Sequence, residues 1–126
     1  MRSRIRTFAI AAFAAGLVST ASVAVAPAPA DAAGTKYGCP YGAVCIYPQN
    51  AELTAGPEAG GIFYSYGPHN LVNQFGRHLF YNNQYGGAGF KVCTGYNGVN
   101  CSPVARATGP YTFYDLTPIN SIVLVR

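Results

Sequence analysis

From residue 39 onward the apolar positions come in short bursts separated by turn-forming residues. Segments 43–47, 61–66, 79–81, 90–93, 111–114 and 121–125 are rich in β-branched and aromatic side chains and are bounded by Gly, Pro, Asn or Ser, which is the pattern of strands. No stretch of good helix formers there sustains an apolar period of 3.6. The spacing predicts an all-β fold, a sandwich or barrel. Residues 49–60, with Pro57 and several glycines, read as a loop. The stretch Phe80-Tyr81-Asn82-Asn83-Gln84-Tyr85-Gly86-Gly87 suits a folded hairpin, its aromatics packing back on the turn and Gly87 taking a left-handed backbone. Each half carries one close cysteine pair with a tyrosine and glycine inside it, CPYGAVC at 39–45 and CTGYNGVNC at 93–101. A duplicated Greek-key sandwich is the economical reading.

The beginning of the chain has a different pattern. Arg2, Arg4 and Arg6 precede an apolar run from Phe8 to Val18, and a small-residue stretch closes with Ala30-Asp31-Ala32. That order marks residues 1–32 as a cleavable secretory signal. A membrane anchor would need about 20 continuous apolar residues, and Ser19, Thr20, Ser22, Pro27 and Pro29 interrupt the run. The expected organisation is therefore signal 1–32, a flexible mature N-terminus at 33–38 and one domain over 39–126. The product is expected to be secreted, with no membrane attachment after cleavage.

Removing the signal changes the charge. Lys36, Arg77, Lys91, Arg106 and Arg126 face Glu52, Glu58 and Asp115, a net charge of +2. Phosphate-backbone binding needs a clustered basic surface, so nucleic acid is not an expected partner. All four cysteines lie in the mature part, and in an oxidising compartment they pair. Four cysteines allow three connectivities, and spacing favours the local one, Cys39–Cys45 with Cys93–Cys101. Bridges that close such short loops remove about 2–3 kcal/mol of unfolded-state entropy each, so their main effect is on local shape.

The second cysteine segment has a readable geometry. A three-residue loop Tyr96-Asn97-Gly98 sets Cys93 opposite Cys101, with Gly98 at the left-handed position such loops favour. Opposed β-carbons on an antiparallel pair lie near disulfide range. The result is a stapled tip carrying Tyr96 and Val99. A rigid aromatic-tipped loop can enter a partner's cleft without losing loop entropy. The structural alternative is a bridge that only holds a hairpin in a small extracellular domain.

The segments Cys39-Pro40-Tyr41-Gly42-Ala43-Val44-Cys45-Ile46-Tyr47, Phe80 to Gly87, the second cysteine loop and Leu116-Thr117-Pro118-Ile119-Asn120-Ser121-Ile122 resemble the secreted actinobacterial inhibitor family of the Streptomyces metalloproteinase inhibitor. The resemblance covers nearly all of the mature chain. It implies a βγ-crystallin-like Greek-key sandwich and an inhibitor of thermolysin-type metalloproteases. It also implies that a substrate-like strand brings a backbone carbonyl near the enzyme's metal. The family's reactive segment falls here on the Cys93–Thr94 peptide and its neighbours Gly95, Tyr96 and Val99. The expected protein is a monomeric inhibitor whose partner is a secreted metalloprotease. The alternatives are a non-inhibitory crystallin-type module directed at cell wall or glycan, and a secreted antimicrobial protein.

Enzymatic chemistry has little to build on. The mature chain offers His69, His78, three carboxylates and scattered serines, with no GxSxG, HExxH, Walker or dinucleotide motif. Nothing in the spacing of Ser65, His69 and Asp115 assembles a triad, and each histidine reads as a structural or surface residue. No enzyme, cofactor or metal site is expected. The ten tyrosines fit either exposed platforms for sugar rings or half-buried rings with wet hydroxyls. Crystallin-like domains often hold calcium, yet Asn82-Asn83 lacks a following serine, Asn120-Ser121 lacks a preceding acid, and only three carboxylates remain. Calorimetric titration with calcium is expected to show no micromolar binding, and micromolar affinity would overturn this reading.

Overall fold

The computed structural model describes residues 34–126. The secretory signal read at 1–32 lies outside the described residues. Among the described residues seven strands run in the order β1 Val44–Ile46, β2 Ile62–Phe63, β3 Gly67–Asn70, β4 Arg77–Asn82, β5 Gly89–Cys93, β6 Gly109–Asp115 and β7 Ser121–Val125. They build two antiparallel sheets, β2-β1-β4-β6 and β3-β7-β5. The halves exchange strands. β3 from the first half pairs with β7, and β6 from the second half pairs with β4.

Strand alternation explains the core, because successive side chains point to opposite faces. Phe90 and Val92 of β5 pair with Leu124 and Ile122 of β7. With Val44, Ile46 and Phe80 from the other sheet, and with Leu71 and Leu116, they form one buried cluster. Phe80 stacks on Phe90 at 5.3 Å between ring centroids, and Tyr114 meets Phe80 edge-on at 4.9 Å, offset geometries that the aromatic quadrupole favours. The opposite faces of β1 and β4 are buried too. Cys45, Leu79 and Tyr81 join Cys39, Ala43 and Tyr47 in a second cluster.

Five of the six expected strand segments overlap a strand closely, and the sixth, 61–66, narrows to the two residues of β2. The strand GPHN of β3 was not expected, because glycine and proline read as turn residues. It is tolerated because β3 is an edge strand, where a missing amide donor costs no ladder bond. The loop expected at 49–60 contains one 3-10 turn, Leu53–Ala55.

The hairpin expected across 80–87 is corrected. β4 and β5 lie in different sheets, so residues 83–88 are a crossover rather than a hairpin turn. Gly86 and Gly87 are both left-handed, with φ of 68° and 77°. Buried amides satisfy the crossover. Asn82 Nδ2 donates to Ala88 O at 3.1 Å, and Asn82 Oδ1 accepts from the backbone and side-chain nitrogens of Gln84 at 3.1 and 3.0 Å. Asn83 Nδ2 donates to Gly34 O and Cys39 O at 2.8 and 2.9 Å. Gly34 meets the rest of the fold through that bond, and Lys36 and Cys39 exchange backbone bonds at 3.0 and 2.8 Å.

Both cysteine pairs form local bridges, Cys39–Cys45 and Cys93–Cys101. His78 is buried, with Nδ1 2.7 Å from Tyr47 O and Nε2 3.0 Å from Phe75 O. Glu58 lies 3.6 Å from Nδ1. Burial pushes the Glu58 carboxyl upward, against the lowering influence of His78 and Gln74.

Tyr47 is fully buried and its hydroxyl donates to Tyr37 O at 2.9 Å. Burial, reinforced by Tyr81, pushes this phenol from 10.0 up to about 12. The folded chain therefore keeps a proton that the unfolded chain releases, and stability falls as pH rises from about 10 toward about 12. A Tyr47→Phe variant is expected to lose no more than about 1 kcal/mol at neutral pH while its alkaline unfolding transition moves to higher pH. Denaturant titrations at neutral and alkaline pH check both, and an unmoved alkaline transition would contradict the assignment.

Candidate functional site

The second cysteine loop leaves the sandwich at the end of β5 and returns toward the irregular segment that covers the β5 edge. Thr94 N donates to Asn100 O at 3.0 Å and Gly95 N to Val99 O at 2.9 Å, with Cys93 and Cys101 bridged as an antiparallel pair. The tip is Tyr96–Gly98, a single 3-10 turn. Gly98 is left-handed with φ 77°, as its position in the sequence predicted. Asn97 is left-handed as well, with φ 61° and ψ 30°. Asparagine tolerates this region better than other residues with a side chain, because its short amide bonds locally.

The loop is docked against the domain. Asn97 N donates to Asn70 Oδ1 at 2.8 Å, and Asn70 Nδ2 donates back to Asn97 Oδ1 at 3.1 Å. Gly98 N donates to Ser121 Oγ at 3.0 Å, and that hydroxyl donates to Gly95 O at 2.6 Å. Asn120 closes the base, its backbone N donating to Cys93 O at 2.9 Å and its Nδ2 to Thr94 O at 2.8 Å. A Cβ on Gly98 would lie 2.9 Å from Val123 Cγ2, and one on Gly95 would lie 2.9 Å from Val99 Cβ, so both glycines permit close approach.

These contacts sort the expected site residues. Cys93 is buried, Thr94 is exposed and Gly95 is half-buried. Tyr96 and Val99 are 56% and 52% exposed. The carbonyl of the expected reactive peptide, that of Cys93, and the next one, that of Thr94, both accept hydrogen bonds from Asn120 and face the domain. The clamp residues Asn70, Asn120 and Ser121 were not singled out as loop partners. Their only sequence signal was polar side chains at strand ends, next to turns. Asn70 also lines a cavity of about 220 Å³ whose walls include Ile46, Phe63, Leu71 and Val72, with Glu58 and Gln74 supplying polar groups.

At the opposite end of the second sheet lies a different surface. Tyr41, inside the first cysteine loop, packs on Tyr85 of the crossover with centroids 5.0 Å apart, and both rings are more than half exposed. Tyr37 is also exposed there, packed on buried Tyr81. The tyrosines thus divide, with Tyr47 and Tyr81 in the core and Tyr37, Tyr41, Tyr64, Tyr66, Tyr85 and Tyr96 facing solvent.

Ser65, His69 and Asp115 do not form a relay. His69 Nε2 meets the Ser65 carbonyl at 2.7 Å rather than its hydroxyl. Asp115 Oδ1 accepts from Thr117 N at 3.0 Å, a bond that holds its carboxyl below the usual range. Asn82, Asn120 and Ser121, the amide and hydroxyl groups weighed for calcium, are engaged within the protein. Comparison with known protein families, curated proteins and solved structures gave no match.

The docking makes glycine substitutions unequal. Gly98→Ala meets both left-handed strain and the Val123 side chain, whereas Gly60, with φ 76°, has nothing within 4 Å of an added Cβ. Denaturant unfolding is expected to show about 1–2 kcal/mol lost for Gly60→Ala and at least about 1 kcal/mol more for Gly98→Ala. Equal losses would mean that the tip is not packed on β7.

Proposed function

We propose that the mature protein is a secreted inhibitor of extracellular thermolysin-type metalloproteases, built on a βγ-crystallin-like Greek-key sandwich. The strand exchange supports the fold, since each half lends one strand to the other's sheet. The two disulfides are consistent with an extracellular protein. The observation that carries the functional reading is the clamped loop. A bridge and the side chains of Asn70, Asn120 and Ser121 fix its backbone, while Tyr96 and Val99 stay exposed.

A pre-ordered loop loses little conformational entropy on binding, and an exposed aromatic anchor is the kind of residue on which binding energy concentrates. Because Asn120 engages the Cys93 and Thr94 carbonyls, contact falls to the exposed side chains of the tip rather than to the carbonyl of the Cys93–Thr94 peptide. The alternative, a non-inhibitory module that binds cell wall or glycan, is favoured by the exposed Tyr41–Tyr85 pair at the other end and by Thr94, which is small and polar where thermolysin-type enzymes prefer a bulky apolar residue.

Titration of the oxidised protein against thermolysin separates these readings. Inhibition is expected, and Tyr96→Ala is expected to weaken it by at least about tenfold, the effect of losing about 1.4 kcal/mol at an anchor, while Tyr41→Ala leaves it unchanged. No inhibition at micromolar excess would sink the metalloprotease reading. Retention on purified cell wall that Tyr41→Ala abolishes would establish the alternative.

A further inference from the structure

Asn97-Gly98 is the one Asn-Gly step in the chain, and this dipeptide is chemically unstable in flexible peptides. Glycine places no side chain in the way of its own amide nitrogen, which can attack the preceding carboxamide. In this fold both reacting groups are engaged. The Gly98 N–H is held by Ser121 Oγ at 3.0 Å. The Asn97 carboxamide oxygen is held by Asn70 Nδ2 at 3.1 Å, and its backbone N by Asn70 Oδ1 at 2.8 Å. The flanking Asn97 backbone is fixed in the left-handed region.

We propose that Asn97-Gly98 is a latent site of spontaneous deamidation, held shut by Asn70 and Ser121 and opened when the loop leaves its dock. In the reaction the Gly98 amide loses its proton to base and its nitrogen bonds to Asn97 Cγ. The Cγ–Nδ2 bond breaks as the leaving nitrogen takes a proton back from the conjugate acid of that base, and ammonia departs. Water then opens the cyclic imide at either carbonyl, leaving aspartate or isoaspartate at position 97. A reactive geometry requires Asn97 to turn its carboxamide onto the Gly98 nitrogen, which the clamp prevents on both sides.

The consequence for the loop is one-directional. Either product adds a negative charge at the tip, and isoaspartate reroutes the backbone through the former side chain. The paired bonds to Asn70 need the native backbone at 97, so an isoaspartyl loop cannot re-dock. Docking therefore sets the working lifetime of the surface that carries Tyr96 and Val99. This inference concerns the loop's chemistry and holds whether its partner is a protease or another molecule.

Peptide mapping by mass spectrometry tests it with no binding assay. The oxidised native protein, the same chain reduced and unfolded in urea, and the variants Asn70→Ala and Ser121→Ala are incubated in mildly alkaline buffer. Conversion at residue 97 is followed over time, and near-ultraviolet circular dichroism reports whether each variant is folded. The native protein is expected to convert at least about tenfold more slowly than the unfolded chain, and each folded variant at least about tenfold faster than the native protein, a barrier change of about 1.4 kcal/mol. Equal rates in native and unfolded chains would overturn the proposal, as would folded variants that convert no faster than the native protein. If one variant fails to fold, the other decides, and if both fail the native-to-unfolded ratio decides alone.

Discussion

The exchange of β3 and β6 between the two halves is the constraint on which the rest of the structure depends. Neither half has a complete sheet without a strand from the other, so the chain must bring residues distant in sequence together before its core closes. The aromatic stack of Phe80, Phe90 and Tyr114 joins the two sheets at that closure. The same exchange builds the loop's dock. Asn70 belongs to β3, the strand given by the first half, and it holds Asn97 in a loop that belongs to the second. Without the exchange the second cysteine loop would keep its staple and its bonds to Ser121 but lose both bonds that Asn70 makes to Asn97.

The two disulfides act where this architecture leaves the chain least supported. Each closes a loop at one end of the sandwich and each presents a tyrosine, Tyr41 at one end and Tyr96 at the other. Their surroundings differ. Tyr41 leans on another ring, Tyr85, above buried and bonded Asn83. The loop beneath Tyr96 rests on polar clamps from β3 and from the start of β7. A net hydrogen bond contributes about 1 kcal/mol, so several convergent ones can hold a short loop that buries little apolar surface.

Much of this was legible in the sequence, for identifiable reasons. Short runs of β-branched and aromatic residues at 90–93 and 121–125 located β5 and β7, since such side chains fit a pleated, buried surface. Local cysteine spacing indicated the pairing, and the Asn97-Gly98 pair marked the turn. β3 was illegible because Gly67 and Pro68 carry turn propensity, and only the edge position in the assembled sheet accommodates them. The 80–87 stretch misled because a tight glycine-rich link between two strands is read as a hairpin, whereas here it crosses from one sheet to the other. The clamp was missed for a related cause: Asn70, Asn120 and Ser121 are ordinary polar residues at strand ends until the strand exchange brings Asn70, and the β5–β7 pairing brings Asn120 and Ser121, under the loop.

The docked loop is the claim on which the functional reading rests, and amide hydrogen exchange tests it most directly. The Asn97 and Gly98 amides, one held by Asn70 and the other by Ser121, are predicted to be strongly protected in the oxidised protein, while the amide of Gly60 in an open turn exchanges freely. Exchange of Asn97 and Gly98 as fast as in an unstructured peptide would show that the tip is not clamped and would contradict the account.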